Sequence, residues 1–528
     1  MQIENQHRAS QIIKNVVMNW AAFIVTIGIG FVMSPFLVRN LGDEIYGVWV
    51  LVGSLVGYLG LLDFGITPST VKYVAEYRAR GEQQSINRLI TTSLTIYSII
   101  GLLALLLSVG FAIFFNRIFH TPLSFNTAAA VVLITGLNLA LTFPATVFVG
   151  VLRGYQRYDL DSSVTTINIL VRSGVIVALI LKGYGILALA LVTFAFDMLR
   201  LIYLMRSAYR LNSEIAIKRE YFDKAQLREL FGYSIFAFLM IVGKRIIFYT
   251  DAIVIGIFLS PAAVTLYSIA NRLVTYLLQV SETMGVLTPT ASDMGARNDH
   301  QAIKEMLILS TKYMLLIALP VAAVFFILGD LFIALWMGQE YIRSAVILSI
   351  LTVAVLAHLL EMPAHTILLG LGKHKVVALF TLAQAIANLV LSLVLVKPYG
   401  LEGVAFGTTI PTVGFTVVAI VIYFRNYLRV SLIEYIKRSL PRALLVQLPF
   451  VLLLLGIKSY LPPTALVSTS NRGWLLLIFF AEISIALLPY GITVFAFCMD
   501  QSERAAVLKI TEKFGIKKKV AVDAVPSS

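Results

Sequence analysis

Residues 238–259 read FLMIVGKRIIFYTDAIVIGIFL, an apolar run broken only by Lys244, Arg245 and Asp251. A helix of this length crosses the ~30 Å hydrocarbon layer of a bilayer. The stretch is therefore either the core of a large soluble domain or a membrane span that carries charge. The rest of the chain decides between these. Of its 528 residues 59% are hydrophobic and 13% charged, and the mean hydropathy is +0.87. No single soluble core hides that much apolar surface. The apolar residues also fall into blocks of about twenty, so the fold class is an all-α polytopic membrane protein.

Working outward from this stretch gives about fourteen transmembrane helices. The first six are Val16–Val38, Tyr46–Pro68, Leu89–Phe115, Ala128–Gly150, Ser163–Leu181 and Tyr184–Met205. The next six are Phe231–Phe258, Thr265–Pro289, Ser310–Leu328, Ala345–Thr366, Ala378–Val396 and Val404–Phe424, and Ala443–Ile457 and Gly473–Phe497 complete the set. With the N-terminus inside, the inner segments collect most of the 42 Lys and Arg, as RSAYRLNSEIAIKREYFDKAQLREL and RNYLRVSLIEYIKRSLPRA illustrate. That bias places both termini in the cytoplasm. It also accounts for most of the +14 net charge, so no nucleic-acid partner is expected. The first span serves as its own targeting signal. The tail around Lys517–Lys519 reads as an interfacial helix.

The chain echoes itself. LGDEIYGVWVL from Leu41 aligns with LSPAAVTLYSI from Leu259, and LVGYL from Leu55 with LVTYL from Leu273, both at an offset of 218. RGEQQSINRLI from Arg80 then aligns with RNDHQAIKEML from Arg297, one residue out of step. Both halves start on the same side, so the expectation is two six-helix lobes related by a parallel repeat, plus two appended helices. The boundaries are 1–225 for the N-terminal lobe, 226–440 for the C-terminal lobe, and 441–528 for the last two helices and tail. Transporters built this way place substrate between the lobes near the midplane.

These stretches resemble the polysaccharide, or lipid-linked oligosaccharide, flippases of the MATE/MVF/oligosaccharide-flippase superfamily. The resemblance rests on Gly42, Gly47 and Asp63-Phe64-Gly65 in the first half. In the second half it rests on TDAIVIGIFLSPAAVTLYSIANRL, with Asp251, Tyr267 and Ala270, and on Pro289 closing the eighth span. A turn glycine near LSPAAV is missing. The resemblance implies a bacterial or archaeal cytoplasmic membrane, no cofactor, and a polyprenyl-pyrophosphate-linked glycan as substrate. Membrane lipids and glycan-assembly enzymes are the implied partners.

The charges inside the spans carry the functional expectation. Lys244 and Arg245 lie roughly 20 Å of helix from the start of their span, beyond the reach of snorkelling. Intramembrane cations must face protein, water or ligand. Arg172, Arg200 and Arg272 share that fate. Arg200 has Asp197 one turn away as a local partner, while Asp251 and Arg272 are equidistant from the hairpin turn near Pro261 and can pair. Lys244 lies about one turn from the depth of Glu282. Arg172 and Arg245 then form an unpaired surplus. With the substrate the resemblance implies, Arg172, Lys244, Arg245 and Arg272 are the expected ligands of the pyrophosphate, in one cationic central cavity that opens alternately to each side. Guanidinium and ammonium groups suit that anion. An inside-negative potential favours each negative charge moved outward by about 2.3 kcal/mol per 100 mV.

Asp63, Asp251, Glu282 and Glu361 are the ion-coupling candidates, since a buried carboxyl takes up a proton or sodium ion. HLLEMPAH places His358, Glu361 and His365 on one helix face. The two histidines are nearly two turns apart, so no metal site is expected; cavity lining, pH sensing and packing stay open. An ion-coupled multidrug exporter of the same superfamily is the alternative function, favoured by acidic groups in the first lobe. Span 1 has none. A polymerase or ligase needs a large outer loop, and the longest here is KSYLPPTALVSTSNR, so no enzyme is expected.

Overall fold

The computed structural model describes residues 23–227, 235–461, 472–501 and 503–505, and all of the regular structure described is helical. In chain order the helices are α1 Phe23–Leu41, α2 Asp43–Leu59, α3 Ile66–Arg80, α4 Gln83–Phe119, α5 Phe125–Gly154, α6 Tyr158–Leu181 and α7 Ile186–Leu211. There follow α8 Ile235–Phe258, α9 Pro261–Leu278, α10 Leu287–Ala296, α11 His300–Trp336, α12 Ser344–Gly370 and α13 His374–Tyr423. Then come α14 Leu432–Leu445, α15 Leu448–Tyr460 and α16 Arg472–Thr493. Eleven helical runs among the described residues are long and apolar enough to cross a membrane. Their outward faces stay apolar, as Ile99, Leu102, Leu106 and Ile113 on α4 show. Such a surface is stable only against lipid.

Local chemistry sets the helix ends. Gly42 takes φ 84°, a value that L side chains resist, and Asp43 and Glu44 then face the positive end of α2. Ser260 accepts from the Ala263 N–H and Pro261 opens α9. Gly400, at φ 59° and ψ −132°, breaks α13 between the two spans expected there. Three boundaries differ from expectation. Span two stops at Leu59 and turns through Gly60–Asp63, so Pro68 lies inside α3. Span eight stops at Leu278 and passes through a 3₁₀ segment, Gln279–Val286, so Pro289 lies inside α10 instead of closing a span. The thirteenth span begins only at α15, because Leu432–Leu445 forms a separate basic helix before it.

Some helix boundaries recur at the offsets seen in the sequence. The 218 offset carries the start of α2, Asp43, to the start of α9, Pro261. The helices α4 and α11 are both 37 residues long, and one offset carries 83 to 300 and 119 to 336. Helices α2 and α9 also touch reciprocally. A Cβ on Gly47 would lie 1.8 Å from the Pro261 carbonyl oxygen. Thr265, the counterpart of Gly47, donates to the carbonyl of Asp43, the counterpart of Pro261, at 2.6 Å. A contact of i with j′ and of j with i′ is the mark of a two-fold relation.

The core is arranged unevenly along the bundle. At the end where α1 turns into α2 and α8 into α9, one apolar cluster spans both halves, from Leu37 and Val48 to Leu273 and Trp336. Cross-half hydrogen bonds reinforce it: Trp336 Nε1 donates to Phe31 O at 2.8 Å, and Tyr341 donates to Asp43. At the opposite end each half packs on its own, around Ile90 and Leu152 in the first and around Leu307 and Leu368 in the second.

Candidate functional site

Helix α8 is the centre of the polar interior. Its residue Lys244 lines a cavity of about 530 Å³ enclosed by α8, α9, α12 and α13. Arg245 turns the other way, toward α2. Its Nη1 donates to the Tyr249 hydroxyl at 2.9 Å, and its guanidinium lies 5.3 Å from that ring and beside Gly60. Gly60 has no side chain to crowd it, so α2 and α8 cross closely there; Tyr58 bonds to Thr250 at the same crossing.

Two turns on, Asp251 is buried and accepts from Tyr267 Oη at 2.5 Å and from Thr408 Oγ1 at 2.8 Å. Asn388 Nδ2 donates to Thr408 at 2.8 Å, and Ser392 adjoins the same carboxylate. Three oxygens remain buried without a hydrogen-bond partner: Asp251 Oδ1, Asn388 Oδ1 and Ser392 Oγ. Leaving such atoms bare costs about 1–3 kcal/mol each. The Ser392 hydroxyl supplies one donor to this cluster, and a proton on Asp251 or a small cation would supply what the remaining oxygens lack. Gly407 provides the room, since a Cβ there would meet Ser392 Oγ at 2.4 Å. Sequence reasoning did not single out Asn388, Ser392 and Thr408. The signal was present as polar residues four apart in apolar spans, Asn388/Ser392 and Thr408/Thr412.

The same cavity holds His358, Glu361 and His365 on its α12 wall. Glu361 and His365 lie 3.8 Å apart, and Tyr423 and His358 adjoin that carboxyl. Among the described residues no His, Cys, Asp and Glu group is placed to hold a metal. Asp63 lies elsewhere, in the 3₁₀ turn after α2, where it accepts from Tyr97 and from Thr67 at 3.1 Å. Glu282, and with it the suggested closeness to Lys244, is outside the described side chains.

The four expected cations do not share one chamber. Arg172 lines a separate crevice of about 430 Å³ between α5, α6 and α7. It is not unpaired: its Nη1 is 3.2 Å from Asp197, which also accepts from Asn138. Arg200, expected to pair with Asp197, instead faces Asp161 at 3.7 Å. The expected Asp251–Arg272 pair does not form. Equal distance from a turn sets equal depth but not direction, and Asp251 points to α13 while Arg272 points to α1. There Arg272 donates to Ser34 Oγ at 2.6 Å and lies 3.5 Å from Gly30 O. Lys244 alone of the four lines the larger cavity, with Arg245 beside it in the chain.

Membrane-length helices and ionisable groups held inside the bundle define a polytopic helical membrane protein of the transporter type. The chain belongs to the polysaccharide biosynthesis protein family, whose model matches residues 12–295. It is 26% identical over 409 residues to a Shigella flexneri protein named "Putative O-antigen transporter", covering 76% of this chain and 94% of that one. It is 23% identical to a Haloferax volcanii protein named as a probable low-salt glycan biosynthesis flippase, over 72% of this chain and 77% of that one. In fold it is similar to the lipid II flippase MurJ in an inward closed conformation, with a TM-score of 0.69 at 15% identity over 91% and 98% of the chains. An inward-facing multidrug resistance MATE family transporter gives 0.64 at 15% identity, over 81% and 99%.

Proposed function

We propose that this protein is a flippase that carries a lipid-linked oligosaccharide, a polyprenyl-pyrophosphate glycan, from the cytoplasmic to the outer leaflet by alternating access. Two six-span lobes do the work, and two further spans are appended. The observation that carries this reading is Lys244 on the wall of a cavity inside the helical bundle, with Arg245 next to it. An ammonium held there is a ligand for a headgroup anion crossing hydrocarbon. The names of the relatives favour a glycan carrier over other anions. With the basic segments inside, the shared core is the outer seal and the separate cores flank the cytoplasmic side.

Lys244 and Arg245 are the proposed pyrophosphate contacts. Arg172 and Arg272 hold helices together through Asp197 and α1. Asp251, with Asn388, Ser392 and Thr408, is the proposed site of the coupling proton or monovalent cation. Glu361 takes a second place in the same cavity, and Asp63 is held by Tyr97.

The test is polymer export in a strain that depends on this protein. Lys244→Met with Arg245→Gln lowers export by about tenfold or more at equal membrane abundance, the loss of one charge-assisted hydrogen bond. Undiminished export overturns the assignment. The second reading, a multidrug exporter, draws support from Asp251, Glu361, Phe248 and Phe415 in the cavity, a lining that suits an organic cation. It predicts that deletion raises tetraphenylphosphonium accumulation, which the flippase reading does not.

A further inference from the structure

We infer that the 530 Å³ cavity of the second half is a glycosyl subsite, which takes the sugar rings nearest the pyrophosphate while the anion stays at Lys244 and Arg245. This rests on the flippase reading and says which part of the carried molecule lies where.

Charge argues first. The cavity wall sets Lys244 against the carboxyl groups of Asp251 and Glu361. A pyrophosphate entering deeply meets those carboxyls beyond Lys244, whereas a neutral sugar carries no charge to oppose them. Hydrogen-bonding capacity argues next. Gln384 spends one Nε2 hydrogen on Thr412 at 3.0 Å, so its other N–H and its carbonyl oxygen are left to bond. Gln279 lies at the same wall. An amide both donates and accepts, so it matches sugar hydroxyls, which do the same, better than phosphate oxygens, which only accept. Shape argues last. Phe248 and Phe415 line the cavity, and Phe248 is 42% exposed. An aromatic face packs against the C–H face of a pyranose, leaving its hydroxyls to the amides. The volume lies in the range of small-ligand sites, roughly 300–1,000 Å³. It holds a short run of rings, so the subsite reads the reducing end of the glycan and leaves the remainder outside.

The experiment uses the full chain in proteoliposomes with two fluorescent probes, a polyprenyl pyrophosphate without sugar and a polyprenyl-pyrophosphoryl disaccharide. The wild type is expected to transfer the disaccharide carrier faster than the bare one. Gln384→Ala and Phe415→Ala each lower disaccharide transfer by about tenfold, and leave bare-carrier transfer unchanged. Gln279→Ala gives the same split and guards against a variant that does not fold, with monodisperse elution in detergent as the check. An equal fall for both probes, no fall for either, or a wild type indifferent to sugar overturns the subsite while leaving the flippase reading intact. A wild type that transfers neither probe but accumulates tetraphenylphosphonium overturns both.

Discussion

Asp251 and Arg272 mark the boundary of what residue positions along a chain convey. Their depth was legible, because a helix rises 1.5 Å per residue from a known turn. Their direction was not, because azimuth depends on which neighbour packs against each face. Arg172 repeats the lesson: its partner Asp197 lies on the next helix, 3.2 Å away. The oxygen cluster at Asp251 carries a prediction at this scale. Asp251→Asn removes the charge but keeps the bonds from Tyr267 and Thr408, so the protein folds yet loses cation- or pH-dependence of transport. Unchanged dependence in a transport assay run with sodium or choline across pH would contradict the assignment. Gly47 carries another. With the Pro261 carbonyl 1.8 Å from the place of a Cβ, Gly47→Val drives α2 from α9. An overpacked contact of this kind costs about 1–3 kcal/mol, read as a lower midpoint of thermal unfolding in detergent.

At the scale of elements, most membrane-length helices were plain because hydropathy reports them directly, while α8 and α9 are not among the eleven apolar runs of the described residues. The short and amphipathic pieces were not. Helices α3, α10 and α14 mix charge with apolar residues and leave little trace in a window set to the bilayer. Helix α14 shows what such a piece does. Tyr435, Ser439 and Ala443 face the protein, while Ile433, Ile436 and Leu444 are uncovered. On its polar side Lys304 meets Glu434 at 2.6 Å, and Arg438 makes a two-pronged contact with Glu305 at 2.7 and 2.8 Å. The Arg438 hydrogen bond holds the Glu305 carboxyl below the usual carboxylate range, and Lys304 does the same for Glu434. Groups lowered in the folded state stabilise it above their ordinary pKa, and that contribution disappears as pH falls through the lowered values. The protection of α14 amides, measured against the intrinsic exchange rate at each pH, should therefore fall in acid, and Arg438→Gln should lower it at neutral pH. Protection that ignores both changes would leave the network without a structural role.

For the whole molecule, three short alignments suggest a repeat, and the contacts Gly47–Pro261 and Thr265–Asp43 are reciprocal at the 218 offset. The symmetry is broken where function is expected. The offset that carries Tyr158 to His374 at the helix starts carries Arg172 to Asn388, so the first half has a fixed guanidinium where the second has an unsatisfied amide oxygen. The unshared cores at one end were not legible, since no local pattern reports how two bundles tilt. The alternating access proposed above requires the end with the shared core to part. With the single native cysteine, Cys498, replaced by Ser, Asp43→Cys and Thr265→Cys should be joined by a short bismaleimide, because Thr265 reaches the Asp43 carbonyl at 2.6 Å. Cross-linking should stop transport, and a linker with a cleavable bond should let reductant restore it. Transport that persists in the cross-linked protein would mean the end never opens.

The claim on which the rest turns is that Lys244 and Arg245 carry the anionic headgroup across the membrane. Leaflet transfer of a polyprenyl-pyrophosphoryl disaccharide in proteoliposomes, comparing wild type with the Lys244→Met, Arg245→Gln double variant, measures it directly. The account predicts transfer by the wild type and a fall of about tenfold or more in the variant. Equal rates from two equally folded proteins would contradict it.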